Sequence, residues 1–97
     1  MKYAVIFTAT VKQFDDLYAS TAANMRQRAM SQYGCTKFVA CTEGNKEIAV
    51  SYWDSLEHIK AWKADAEHQV AQKMGQDAWY EHYCVEVVEV LRAYSSY

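Results

Sequence analysis

The stretch Cys35 to Trp53, CTKFVACTEGNKEIAVSYW, decides how this chain folds. Cys35 to Thr42 and Lys46 to Trp53 are each rich in β-branched and aromatic residues and read as strands. Glu43-Gly44-Asn45 joins them, because glycine and asparagine tolerate the positive φ that tight hairpins require. A hairpin with a helical pattern on either side, and a further strand pattern beyond each helix, gives the order β-α-β-β-α-β.

On the N-terminal side, Phe14, Leu17, Tyr18, Thr21, Ala22, Met25 and Ala29 fall on one helical stripe, with Asp15, Asp16, Asn24, Arg26 and Arg28 mostly off it. Acidic residues in the first turns and arginines near the end match the helix dipole, and Tyr33-Gly34 supplies the stop. Before this helix, Lys2 to Thr10 alternates Tyr3, Val5 and Phe7 with Ala4 and Ile6, a strand apolar on both faces. On the C-terminal side, Asp54 with Glu57 three residues on has the form of a capping box, followed by Leu56, Ile59 and Trp62. Asp65 has the character of a second cap, so this helix is expected to break near Ala64 and restart through Ala66, Val70, Ala71 and Met74, ending at Gly75 with a turn over Gln76 to Tyr83. Cys84 to Ala93 then reads as a last strand, apolar on both faces.

This order is the ferredoxin-like arrangement of the α+β class, a four-stranded antiparallel sheet with both helices on one face. Residues 1–97 are expected to form one domain. The opposite face needs cover, and a second copy of the chain would supply it in a closed two-fold arrangement. Composition agrees: 52% hydrophobic and 23% charged residues in 97 belong to an ordinary globular chain, small enough for a partner to add usefully to its core. A net charge of −2 with ten scattered Lys and Arg provides no basic field, which argues against nucleic acid and anionic membrane as partners. Cys35, Cys41 and Cys84 form no CxxC pair and no even framework, pointing to a reducing cytoplasm. The first residues have too short an apolar run for a signal peptide.

Between Tyr52 and Val90 stands a more specific pattern: Tyr52-Trp53-Asp54, Ile59, Ala61-Trp62-Lys63, Glu67-His68, Ala71-Gln72, Gly75, Trp79-Tyr80-Glu81 and Tyr83, then a valine-rich strand. This resembles the antibiotic biosynthesis monooxygenase family of dimeric α/β-barrel proteins, over about the C-terminal half of the chain; the N-terminal half agrees in its strand, helix and strand order. The resemblance implies a homodimer with a pocket in each subunit between helices and sheet. Some members of that family oxidise phenolic or anthrone substrates to quinones with molecular oxygen and neither metal nor flavin, and others bind and open haem. The first activity asks little of the protein: a deprotonated electron-rich aromatic can itself pass an electron to oxygen, so the site need only bind, desolvate and deprotonate it. Eight Tyr and three Trp are compatible with such walls.

Trp62 matches the helix tryptophan that lines the pocket in both branches, and is equally at home as core beside Leu56 and Ile59. The haem branch also uses a first-strand asparagine and a histidine on the helix after that tryptophan. Here the first strand has Phe7 near that place, His68 comes too close to Trp62, and Ala71 aligns about where the ligand should be, which argues against haem cleavage of that type. His68, three residues after Asp65, is the candidate base, with packing at the domain edge as its plainer reading. Trp53, Trp79 and Tyr80, with Tyr83, are candidate substrate-binding aromatics at the pocket mouth, or residues that hold helix to sheet. His58 is expected on the solvent side of a helix and His82 in a loop, and neither has the spacing of a metal ligand. Cys41 and Cys84 are expected to be buried small hydrophobes, and Glu86, Glu89 and Arg92 solvated surface. The reading is a homodimeric, cofactor-free monooxygenase of a small aromatic molecule, with a haem-binding protein and a non-catalytic metabolite-binding or scaffolding dimer as the alternatives.

Overall fold

A computed structural model of the chain describes residues 2–73 and 79–96. Its elements are β1 (Tyr3–Val11), α1 (Asp16–Gln32), β2 (Lys37–Glu43), β3 (Lys46–Trp53), α2 (Leu56–Lys73) and β4 (Tyr80–Glu89). The strands form one antiparallel sheet in the order β2-β3-β1-β4, the ferredoxin-like topology. The two later strands flank the first, so β1 runs through the sheet interior and needs apolar residues on both faces. Glu43 pairs with Lys46 across Gly44-Asn45, and only Gly44 takes a positive φ, +60°. Glycine at the first central position is the requirement of a hairpin turn that keeps the strand twist.

Helix α1 starts at Asp16, later than Phe14, because Asp15 caps it: its carboxylate accepts a hydrogen bond from the Tyr18 amide at 2.7 Å. Phe14 lies outside the helix and is exposed, stacked edge-on against Tyr18. At the other end Gly34 takes φ +79°, and the chain folds back so that the Cys35 amide reaches the Ala29 carbonyl at 3.0 Å. That return delays β2 to Lys37. Cys35 itself is buried, and burial pushes its thiol pKa up.

In α2 the cap is Ser55 rather than Asp54. Ser55 Oγ accepts from the amides of Glu57 and His58 at 3.2 and 3.4 Å. The expected break at Asp65 does not occur, since α2 is continuous from Leu56 to Lys73. Asp65 accepts instead from Nε and Nη2 of Arg28, at 2.8 and 2.7 Å, and so ties α2 to α1. Arg28 is thus committed to a partner helix, and the last turn of α1 carries no basic residue. The expected stop at Gly75 and the turn from Gln76 lie in part outside the described residues.

The last strand begins at Tyr80, four residues earlier than its composition suggests, because β1 offers partners as far as Val11, which pairs with Tyr80. His82 is accordingly on a strand and not in a loop. A register shift between Thr10 and Val11 places Thr10 opposite His82 and Val11 opposite Tyr80, leaving Glu81 without an opposite residue.

Strand alternation sorts the sheet into two faces. Val5, Phe7 and Ala9, with their cross-strand partners Ser51, Ala49 and Glu47, face the helices. Ile6, Thr8, Val39, Ile48, Cys84 and Val88 face the other way, and Val39, Ile48 and Val88 are large apolar residues left exposed there. Cys41 and Cys84 share this face and are exposed, contrary to the expectation that strand cysteines would be buried. Helix α1 and helix α2 cover the first face, but their core is in two pieces. One cluster joins Val5, Ala29, Cys35, Trp53 and Ile59; the other joins Ala9, Val11, Tyr18 and Trp79. Trp53 and Trp79 are the largest fully buried side chains, each worth about 5 kcal/mol at ~200 Å² of apolar surface. Among the described residues, no helix is long and apolar enough to cross a membrane.

Candidate functional site

Between the two core clusters a cavity separates the helices from part of the sheet. The residues that meet there are small: Ala19, Ala22, Ala23 and Ala66 from the helices, Ala40, Ala49 and Ser51 from the sheet. An alanine where a leucine would fill the layer leaves space, and here the spaces join into one cavity of about 540 Å³. That is within the roughly 300–1,000 Å³ of small-molecule sites.

Aromatic rings close both ends. At one end Trp62 stands 5.3 Å from Trp53 and 6.1 Å from Phe38, centroid to centroid. Trp62 Nε1 donates to the Met25 carbonyl at 3.0 Å, which fixes the indole between α1 and α2. At the other end Tyr80 lies 5.6 Å from Phe7, 5.7 Å from Tyr83 and 6.0 Å from Tyr18. Tyr80 and Tyr83 are three residues apart, so a regular strand would send them to opposite faces. The irregularity at Glu81 puts both on the cavity side. The exposed side chains of Arg26, Lys63 and Glu67 form a charged rim. Arg26 leans over the Phe38 ring at 5.7 Å, and Lys63 reaches Glu67 at 4.0 Å.

The cavity also contains a carboxylate. Glu47 stands on β3 opposite Ala9, on the helix side of the sheet, and is half-buried. Its Oε2 is closed off from solvent and finds no hydrogen-bond donor among the described residues. Burial raises its pKa above the ordinary glutamate value of 4.5, because a low-polarity surrounding disfavours the charged form. Tyr80 is pushed well above the usual tyrosine value, first by burial and then by the neighbouring Glu47 carboxylate. It remains a neutral hydroxyl.

Of the residues singled out in the sequence, Trp62 and Tyr80 line this cavity, and Tyr83 joins them. Trp53 does not line it. It is fully buried behind Trp62, with its Nε1 donating to Ser51 Oγ at 2.8 Å. Trp79 is likewise core, packed edge-on to Tyr18 at 5.4 Å. His68 is exposed on α2 and is not among the lining residues. His58 is exposed as expected and lies over Gly34. Glu47 is not among the sequence candidates, although its position carries a signal: it shares strand phase with Ala49, Ser51 and Trp53, the inward phase of the hairpin.

No protein-family model matches the chain. The Bacillus subtilis protein YqjZ, itself uncharacterised, is 40% identical over 91 residues, covering 93% of this chain and 80% of YqjZ. Among solved structures, SnoaB of Streptomyces nogalater, described as a cofactor-independent oxygenase and solved as a mutant, matches with a TM-score of 0.75 at 12% identity over 95% of each chain. A Nitrosomonas europaea protein named as a candidate antibiotic biosynthesis monooxygenase matches at 0.65 and 14% identity, over 93% of this chain and 99% of its own. A dimeric ferredoxin-like protein from an uncultured marine organism matches at 0.68 and 12% identity, over 99% and 100%. The chain belongs to one family with YqjZ, and its ferredoxin-like fold is that of the antibiotic biosynthesis monooxygenases.

The raised pKa of Glu47 has a consequence for stability. A carboxyl that holds its proton more tightly in the folded state favours folding most below the unfolded value, and that contribution is lost as pH rises through the folded value. Glu47→Gln carries no such charge. In urea melts from about pH 4 to pH 8, its stability relative to wild type should therefore climb with pH and then level off. A difference that stays flat, or falls with pH, would contradict the burial of this carboxylate.

Proposed function

We propose that this protein is a cofactor-independent monooxygenase that takes a small, electron-rich aromatic into the cavity and oxidises it to a quinone with molecular oxygen. The observation that carries the reading is the cavity itself: flat aromatic walls at both ends, an alanine-lined middle, and one half-buried carboxylate. SnoaB, with the same fold, is described as a cofactor-independent oxygenase.

The chemistry suits such a site. A phenol, or an anthrone in its hydroxyl form, gives its hydroxyl proton to a base and becomes an anion, which passes one electron to oxygen; the radical pair combines at a ring carbon into a peroxide anion. The peroxide takes the proton back from the base, and loss of water leaves a new carbonyl. One oxygen atom enters the substrate and the other departs as water, so no further reductant is needed. The protein's contribution is to hold the ring between Trp62 and Tyr80, exclude bulk water and accept the first proton. His68 is poorly placed for that last task, being exposed outside the cavity lining.

We further propose that the active form is a homodimer, with the helix-free face of each sheet packed on that of its partner. Val39, Ile48 and Val88 supply the apolar surface, and one structural relative is described as dimeric.

Two measurements test these readings. Oxygen consumption by metal-free protein against anthrones, hydroquinones and polyphenols should exceed the spontaneous rate, and Trp62→Ala should lower the excess by roughly tenfold or more. No uptake above background, with a Soret band on adding haemin, would overturn the oxygenase reading in favour of haem binding. In sedimentation, the wild type should run at twice the chain mass and Ile48→Glu should shift it toward the monomer, since a charge buried in an apolar interface is costly. A monomeric wild type would contradict the dimer.

A further inference from the structure

We propose that Glu47 is the catalytic base of this cavity, accepting the proton of a hydroxyl on the ring of the bound aromatic. The consequence for oxidation rests on the oxygenase reading, whereas the recognition of the hydroxyl does not.

The placement of Glu47 argues for a ligand-facing role. Its opposite neighbours, Ala9 on β1 and Thr42 on β2, are small, and Glu47 lines the cavity. Oε2 is nevertheless shut off from solvent, with no donor among the described residues. A carboxylate with one oxygen buried and donor-free is poorly solvated, and a donor that reaches its more open oxygen from the cavity would offset part of that cost. An ionised carboxylate can only accept, so the ligand group that satisfies it is a donor.

The rest of the cavity narrows the kind of donor. Phe7, Tyr80 and Tyr83 lie at the same end, with Tyr83 paired to Ala9 beside Glu47. Phe7 and Tyr83 are near parallel, 27° between planes at 6.2 Å, so this end presents flat aromatic surface beside the carboxylate. At the rim Lys63 is paired with Glu67, and Arg26 presents a positive charge that a cationic amine donor would have to pass. A phenolate would meet the charge of Glu47 itself. A neutral aromatic hydroxyl satisfies both conditions.

In the transfer, the substrate O–H bond breaks and the proton forms a new O–H bond on the Glu47 carboxylate. The electron pair stays on the substrate oxygen, giving a phenolate and a neutral carboxylic acid, with no oxidant involved. Burial of Glu47 makes it a stronger base than a glutamate in water, which narrows the gap to a phenol.

The test compares 2-naphthol with 2-methoxynaphthalene, which has the same ring and no donor, by titration against wild type and Glu47→Gln near neutral pH. Wild type should bind the naphthol roughly tenfold more tightly than the ether, the size of a hydrogen bond to a charged acceptor. In Glu47→Gln that preference should shrink to about threefold or less while the ether's Kd holds within about twofold, the latter reporting an intact cavity. Equal binding of the two ligands to wild type, an undiminished preference in the variant, or no binding of the naphthol would each overturn the assignment. Oxygen uptake separates the two readings. A Glu47-dependent preference without uptake removes the oxygenase and keeps the hydroxyl contact, while uptake with an unchanged preference keeps the oxygenase and removes Glu47 as its base.

Discussion

The structure depends on two tryptophan-centred contacts that prop a pair of helices off a sheet. Trp53 anchors α2 and the end of α1 over one end of β1 and β3, and Trp79 with Tyr18 anchors the start of α1 over the other. Large rings at the ends and alanines in the middle cannot both pack at native density. The mismatch emerges as enclosed space rather than collapse, because the Arg28–Asp65 pair and the Trp62–Met25 hydrogen bond also hold the two helices to each other. The cavity is thus a product of the same contacts that stabilise the fold.

That origin explains its chemical character. A space left by alanines between aromatic ends is of low polarity, and a charge inside it is poorly solvated. Glu47 sits at such a position, where its ionised form is disfavoured and its proton affinity raised. The β4 irregularity adds a second device: by skipping Glu81 it brings Tyr80 and Tyr83 to the same side, stacking aromatic surface around the carboxylate without lengthening the strand. Among the described residues no helix covers the opposite face of the sheet, where Val39, Ile48 and Val88 are exposed.

Much of this is legible in the residues. The hairpin, both helices and the strand order follow from turn chemistry and periodicity, and β3 has the bounds its sequence suggests. Where expectation and structure part, a tertiary partner overrides a local signal. Asp65 looks like a helix cap in isolation, but Arg28 on the other helix claims it and α2 runs on. Tyr80 to Tyr83 looks like a turn, but β1 requires a partner there. At the site, Trp62 and Tyr80 carry a readable signal. Trp53 and Trp79 carry the same one and are pillars of the core, because an aromatic's burial depends on which neighbour is small. Glu47 is hidden for the opposite reason: a glutamate in an exposed-looking hairpin draws no notice until strand phase and helix placement turn it inward.

The helix–sheet cavity half-buries Glu47 among apolar side chains, and everything proposed for its chemistry rests on that. A ¹³C NMR titration of the glutamate side-chain carboxyls tests it most directly, with the Glu47 signal assigned by its loss in Glu47→Gln. A Glu47 midpoint above that of ordinary glutamates is the expected result. A midpoint at or below theirs would mean that the carboxylate is solvated or already paired, and the cavity would lose the feature on which its proposed chemistry rests.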